Sequence, residues 1–362
     1  MSERPYNFAA GPAILPLPVL LKAREELTDW HGKGMSVMEM THRGSAFAEI
    51  FAETQERMRR LLLVPESHEI LFLQGGATAQ FAAVPMNLLP EGKTADYAVT
   101  GNFSGIAAKE ARKYGTVNVG ACMKDNGHSR IPSQTELSLT PDAAYFHYCA
   151  NNTIYGTAWD YIPDTGRVPL VCDMSSEIMS HPVPVSRYGL IYAGAQKNMA
   201  PAGLTVVIVD KALAGHERAI TPQVMSYAAM IDGGSMLNTP PCWCIYILGL
   251  VLEWLEAQGG VAEMERRKKS RSALIYDVLD NSRLYIPHAE KSARSDMNIT
   301  FRTASEETDA EFVKGAAARG LLNLKGHRLT GGMRASLYNA MPQEGAAALA
   351  EYMKEFEVSR NV

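Results

Sequence analysis

Short apolar runs alternate with segments of helical periodicity along most of this chain, and that alternation limits the fold more than any other feature of the sequence. Pro18 to Trp30 and Ile50 to Leu63 carry apolar residues at helical spacing. Glu69-Ile70-Leu71-Phe72-Leu73 is a short buried-strand run, followed by Gln74-Gly75-Gly76 and a helical pattern over Ala77 to Leu89. Ala95 to Val99 reads as a strand and Phe103 to Tyr114 as a helix, with further strands near 143–149, 168–173, 190–195 and 204–209. Such alternation predicts an α/β fold, a largely parallel sheet covered by helices on both faces. The polar helix Val261 to Asn281 leads into a last unit with strands near 297–303 and 333–338 and helices at 309–319 and 344–358. That unit is the expected small lobe.

Bulk properties exclude several classes of function. The net charge of −4 offers no general attraction to nucleic acid or to an acidic membrane, so an anionic ligand must be held by local cations. The longest apolar stretch, Cys242 to Leu252, is too short to span a bilayer. The opening Ser2-Glu3-Arg4-Pro5 lacks the layout of a signal peptide, so a cytoplasmic location is expected. The 5 cysteines read as reduced thiols. Cys242-Trp243-Cys244 is their one close pair, no His cluster accompanies it, and no metal site is expected.

In open α/β sheets ligands gather beyond the carboxyl ends of the strands, and the notable residues fall there repeatedly. Lys197 ends the run Leu190-Ile191-Tyr192-Ala193-Gly194-Ala195-Gln196 among small residues, a setting that lowers an amine pKa and makes it a carbonyl nucleophile. Val168 to Asp173 is another apolar run, ending in a carboxylate. A lysine able to form a Schiff base, paired with an Asp for a pyridinium nitrogen, is the protein half of pyridoxal-phosphate chemistry. A solvated strand-end charge is the plainer reading of the lysine alone. Gly75 and Gly76, with Thr78 and the positive end of the following helix, suit a phosphate, although a tight turn also needs glycine. Phe103 is placed to lie against a ring, or simply to pack in the core. Thr153, after another strand end, can donate to a ligand oxygen.

Several longer blocks carry a resemblance. Asn7-Phe8 to Gly11-Pro12, Ser36 to Gly44, Gln80 to Pro85, Ala193 to Asn198, Gly233 to Pro241 and Lys325 to Ser336 resemble the phosphoserine aminotransferases, within the class V pyridoxal-phosphate-dependent aminotransferases. The blocks run in order over essentially the whole chain. The resemblance implies the type I pyridoxal-phosphate transferase fold, with a large domain at 16–258 and a small domain made of 1–15 and 259–362. It implies a homodimer with active sites at the interface, and pyridoxal 5'-phosphate as cofactor. Lys197 would carry the Schiff base and Asp173 would hold the pyridinium. Gly76, Ala77 and Thr78 would cradle the phosphate, with Gln196 and, from the neighbouring subunit, Asn238 and Thr239. Phe103 and Thr153 would sit at the ring.

Two departures accompany the likeness. Phe103 stands where many relatives stack a Trp, and Thr78 where bacterial relatives often have Arg. The family pattern gives the substrate α-carboxylate to Arg334, whose guanidinium fork suits a bidentate grip. It gives the side-chain phosphate or carboxylate to His42 and Arg43, with His327 and Arg328 assisting across the interface. The implied reaction is reversible amino transfer between O-phospho-L-serine and 2-oxoglutarate in serine biosynthesis, and potentially 4-phosphohydroxy-L-threonine in pyridoxine biosynthesis. Another enzyme on the same scaffold, a cysteine desulfurase or an amino-acid lyase, is the alternative. A non-catalytic cofactor-binding protein is a third reading, which Lys197 and Asp173 together argue against.

Overall fold

A computed structural model describes residues 4–360. Its centre is a seven-stranded sheet built from β1 (His68–Leu73), β2 (Thr94–Val99), β3 (Thr116–Cys122), β4 (Phe146–Cys149), β5 (Leu170–Asp173), β6 (Leu190–Gly194) and β7 (Thr205–Asp210). The strand order is β1-β7-β6-β5-β4-β2-β3. All neighbours are parallel except β7, which runs antiparallel to both β1 and β6. Successive side chains of a strand point to opposite faces, so the near-continuous apolar runs feed two separate cores. Ile70, Phe72, Ile191, Val206 and Ile208 enter one, and Leu71, Leu73, Tyr192, Val207 and Val209 the other.

The helices cover both faces. α1 (Leu17–Glu25), α2 (Ser45–Leu62) and α6 (Cys242–Ala257) lie on the first, and α3 (Gly76–Leu88) and α4 (Asn102–Ala111) on the second. The short α5 (Tyr227–Asp232) joins that second face. Gly249 of α6 lets α2 come close, since a Cβ there would stand 2.6 Å from Thr54 Oγ1. The apolar run from Cys242 is therefore a core helix, with Ile245 to Leu252 buried. No single helix among the described residues is long and apolar enough to cross a membrane.

α7 (Gly260–Asn281) leads to the last unit, where β8 (Ile286–Pro287), β9 (Asn298–Arg302) and β10 (Met333–Ser336) form an antiparallel sheet packed with α8 (Glu306–Ala318) and α9 (Gln343–Ser359). Phe8 and Ile14 join this core from the N-terminus, and Tyr6–Asn7 pairs in parallel with Leu321–Leu322. Residues 1–3 and 361–362 of the expected small domain lie outside the described residues.

Two local expectations need correction. The helix expected to reach Trp30 ends at Glu25, and Trp30 sits buried in a separate short turn, Trp30–Gly32. Asp29 Oδ1 accepts from Gly34 N at 2.6 Å, so its side chain competes for backbone donors and favours a turn. Strand β3 had no counterpart in the sequence reading. It is an edge strand interrupted by Asn118 and Gly120, with a register shift against β2, so it lacks the apolar signature of the inner strands.

Candidate active site

Asp173 is the last residue of β5 and is buried; in register it lies beside Cys149 of β4 on one side and Tyr192 of β6 on the other. Ser175 N donates to Asp173 Oδ1 at 2.9 Å, and the Cys149 thiol stands 3.9 Å from Oδ2. Burial pushes the carboxyl above the usual aspartate range, and the bond from Ser175 offsets only part of that. A buried carboxylate whose second oxygen holds only a weak thiol contact is set to receive a cation or a strong N–H donor.

Lys197 lies in the connection from β6 to β7, where a tight turn returns Met199 N and Ala200 N to Ala195 O. Its Nζ donates to Thr153 Oγ1 at 2.6 Å and stands 5.5 Å from the centroid of Phe103, the aromatic that opens α4. Burial lowers its pKa to about 8, with Asp173 opposing the shift and Arg334 reinforcing it. Moving a lysine from 10.5 to about 8 raises the neutral fraction at pH 7 by roughly 300-fold, to about a tenth. A neutral amine is able to act as the nucleophile and base that the sequence reading expects of Lys197. Gly11 makes room for it, because a Cβ there would stand 3.2 Å from Lys197 Cγ.

At the strand-to-helix turn after β1, Gly75 adopts φ +90 and Gly76 φ +67, conformations that favour glycine. A Cβ on Gly75 would stand 2.5 Å from Ala79 Cβ, while one on Gly76 would meet nothing within 4 Å. The turn opens the first N–H groups of α3, and Gly75 as its cap offers no side-chain acceptor to them. Thr78 is exposed on that first turn. An open N-terminus, a buried acceptor at Asp173 and a neutralisable amine at Lys197 fit the phosphate, ring nitrogen and carbonyl of pyridoxal phosphate.

The cations fall into two groups. Arg334 on β10 donates to Thr153 O at 3.3 Å, lacks a carboxylate partner among the described residues, and lies close enough to Lys197 to perturb it. His327 belongs with it: burial lowers its pKa, and the charges of Arg334 and Arg328 add to the effect. Arg328 is exposed. His42 and Arg43 lie on the loop before α2, with Arg43 exposed, and neither hydrogen-bonds to Lys197 of the same chain. Asn238 and Thr239 are also exposed. Asn238 Nδ2 donates to Gln74 Oε1 at 3.1 Å, and Gln74 Nε2 donates to Thr239 O at 2.9 Å, which puts that segment beside the Gly75 turn. Gln196 closes against the N-terminal segment through its carbonyl, which accepts from Ala13 N at 2.9 Å.

Sequence reasoning passed over several supporting groups. Ser175 orients Asp173 and also accepts from Gly194 N at 3.0 Å, tying β5 to the lysine strand; the Asp-x-Ser spacing of an Asx turn was the available signal. Cys149 lies in the apolar run near 143–149, and nothing in that run signals its contact with Asp173. Gln74 had no signal of its own, because its partners lie far along the chain.

Comparison with known proteins agrees with this geometry. Residues 5–349 match the family model described as Aminotransferase class-V. The chain is 54% identical over 357 residues to the phosphoserine aminotransferase of Pseudomonas aeruginosa, covering 99% of each. It superposes on the phosphoserine aminotransferase of Bacillus circulans subsp. alkalophilus with a TM-score of 0.97 at 45% identity, over 99% of this chain and 100% of that one. A pyridoxal-phosphate-bound phosphoserine aminotransferase from Trichomonas vaginalis follows at 0.93 and 39%, over 97% and 100%. The chain belongs to the class V aminotransferases, and among them to the phosphoserine aminotransferases.

Proposed function

We propose that this chain transfers the amino group of O-phospho-L-serine to 2-oxoglutarate, reversibly, giving 3-phosphohydroxypyruvate and L-glutamate with pyridoxal 5'-phosphate as cofactor. The observation that carries the reading is the Lys197 amine, lowered by burial to about 8, within electrostatic reach of the buried Asp173 carboxylate. When bound, pyridoxal phosphate supplies a carbonyl that links to amines and a protonated ring that disperses the electron pair left on the substrate Cα. The buried Asp173 would face the ring nitrogen and favour its protonated form. Lys197 Nζ is the base that takes the proton from the substrate Cα, and Thr153 Oγ1 orients it. Phe103 offers a π face to the ring. Gly76, Ala77 and Thr78, with Gln196, would hold the phosphate, and Arg334 would grip the α-carboxylate with its fork.

The remaining residues fit a homodimer. Asn238 and Thr239 would complete a partner's phosphate site, and His42, Arg43, His327 and Arg328 would gather the anionic side chain of the substrate across the interface. Exposed Met38, Leu237 and Leu329, each on a segment next to one of these residues, support a second copy covering them. We divide each chain into a large domain at 16–258 and a small one made of 1–15 and 259–362. The shared core of Phe8, Ile14 and the C-terminal unit supports that division. The unpaired cysteines favour the cytoplasm. Cysteine desulfurase chemistry fits poorly, since burial pushes the Cys149 and Cys172 thiols well up.

Incubation of the purified holoenzyme with phosphoserine and 2-oxoglutarate should yield glutamate and phosphohydroxypyruvate in equal amounts. Cofactor-loaded protein that makes neither product would overturn the assignment.

A further inference from the structure

Away from Lys197, a cavity of about 670 Å³ opens where the N-terminal segment, the end of α6, the first half of α7 and the start of α9 meet. Arg4, Arg266, Arg267 and Arg271 line it, and Glu344 is the one carboxylate among its lining residues. Arg266 and Arg267 share Glu263 at 2.7 and 2.8 Å, and Arg4 donates to Leu15 O at 3.1 Å. Arg271 is different. It is 2% exposed, gives Nη1 to Met341 O at 3.0 Å, and has no partner for Nε or Nη2 among the described residues. Burial, with the charge of Arg267 nearby, pushes its guanidinium down to about 10. α9 starts at the same cavity with Pro342 at its cap and no side chain bonding its first N–H groups.

A guanidinium held out of water without a counter-ion is unfavourable, and a bound anion would offset that cost. The two unpartnered N–H groups lie along one edge of the guanidinium, the edge that meets two oxygens of a single oxyanion. Three more arginines and a helix N-terminus favour more than one negative charge. We propose that this cavity is a second ligand site, binding a small oxyanion of at least two negative charges through Arg271, Arg4 and the start of α9. The site touches the frame of the catalytic lysine. Asn339 of its wall donates its N–H to Asn198 Oδ1 at 2.9 Å, and the chain between the lining residues Tyr6 and Ile14 passes through Gly11, which packs on Lys197.

The test is a calorimetric titration of inorganic phosphate into the holoenzyme, with ionic strength held constant by chloride. The substrate pocket also attracts phosphate, so the informative part is what two variants remote from that pocket lose. Phosphate should bind at least tenfold more weakly to Arg271→Lys and severalfold more weakly to Arg4→Ala, with turnover of both at the wild-type level. Phosphate heats identical in all three proteins, or no saturable binding beyond chloride in the wild type, would overturn the proposal. Should Arg271→Lys not fold, the exposed Arg4→Ala decides, and unchanged affinity there overturns it.

Discussion

Replacing Lys197 with Met should make the cofactor-free protein more stable near neutral pH while abolishing turnover. Burial lowers the lysine from 10.5 to about 8, and at about 1.4 kcal/mol per unit this is a penalty of about 3 kcal/mol on the charged form. The residue keeps a part-exposed face, so solvent screening reduces the figure to about 2 kcal/mol. Methionine also forfeits the 2.6 Å bond to Thr153 Oγ1, worth about 1 kcal/mol, which leaves a net gain of about 1 kcal/mol. The pH dependence follows from the direction of the shift. Above pH 10.5 neither state holds the proton and the penalty is absent. As pH falls towards about 8 the unfolded chain is protonated before the folded one, so stability is lost. Below about 8 the penalty is complete and flat. Urea unfolding of both apoproteins from pH 7 to pH 10 should show the variant ahead at pH 7, with its lead shrinking and then reversing at high pH. A variant that is less stable at pH 7 by the same amount as at pH 10 would show that Lys197 is not desolvated, and the account of its reactivity would fail.

Asp173→Asn should leave the fold intact and depress turnover by about two to four powers of ten, since an unpartnered buried cation costs about 3–5 kcal/mol; near-normal activity would mean another group serves the ring nitrogen. Arg334→Ala should weaken every amino-acid substrate alike. Arg43→Ala should reduce catalytic efficiency about ten- to a hundredfold for phosphoserine and glutamate while sparing alanine, and equal losses on all three would make Arg43 structural. Gly75→Ala should lose about 1–3 kcal/mol of stability and release cofactor on dialysis, because its φ of +90 and the 2.5 Å approach to Ala79 both oppose a side chain. Cofactor retention equal to wild type would show that the turn is no cradle.

The main lines of the fold and the centre of the site were legible from local pattern. Strands buried on both faces read as continuous apolar runs, which is why the inner β2, β4, β5, β6 and β7 and the apolar edge strand β1 were legible and the polar edge strand β3 was not. Lys197, Asp173, Gly75 and Gly76 announced themselves because each sits at a strand end, where chemistry and chain direction are fixed within a few residues. The antiparallel course of β7 and the side-by-side placing of Cys149, Asp173 and Tyr192 are matters of register between distant segments, which no local spacing encodes. The same holds for Thr153, which the fold sets between Lys197 and Arg334, and for Gln74, which fastens 238–239 to the turn after β1. The lowered pKa of Lys197 is likewise tertiary, because desolvation depends on everything packed around the amine. Residue type and spacing thus determined which groups could do chemistry. Only the packing of the sheet, with the N-terminal and C-terminal segments closed over it, decided which of them meet and in what state of charge.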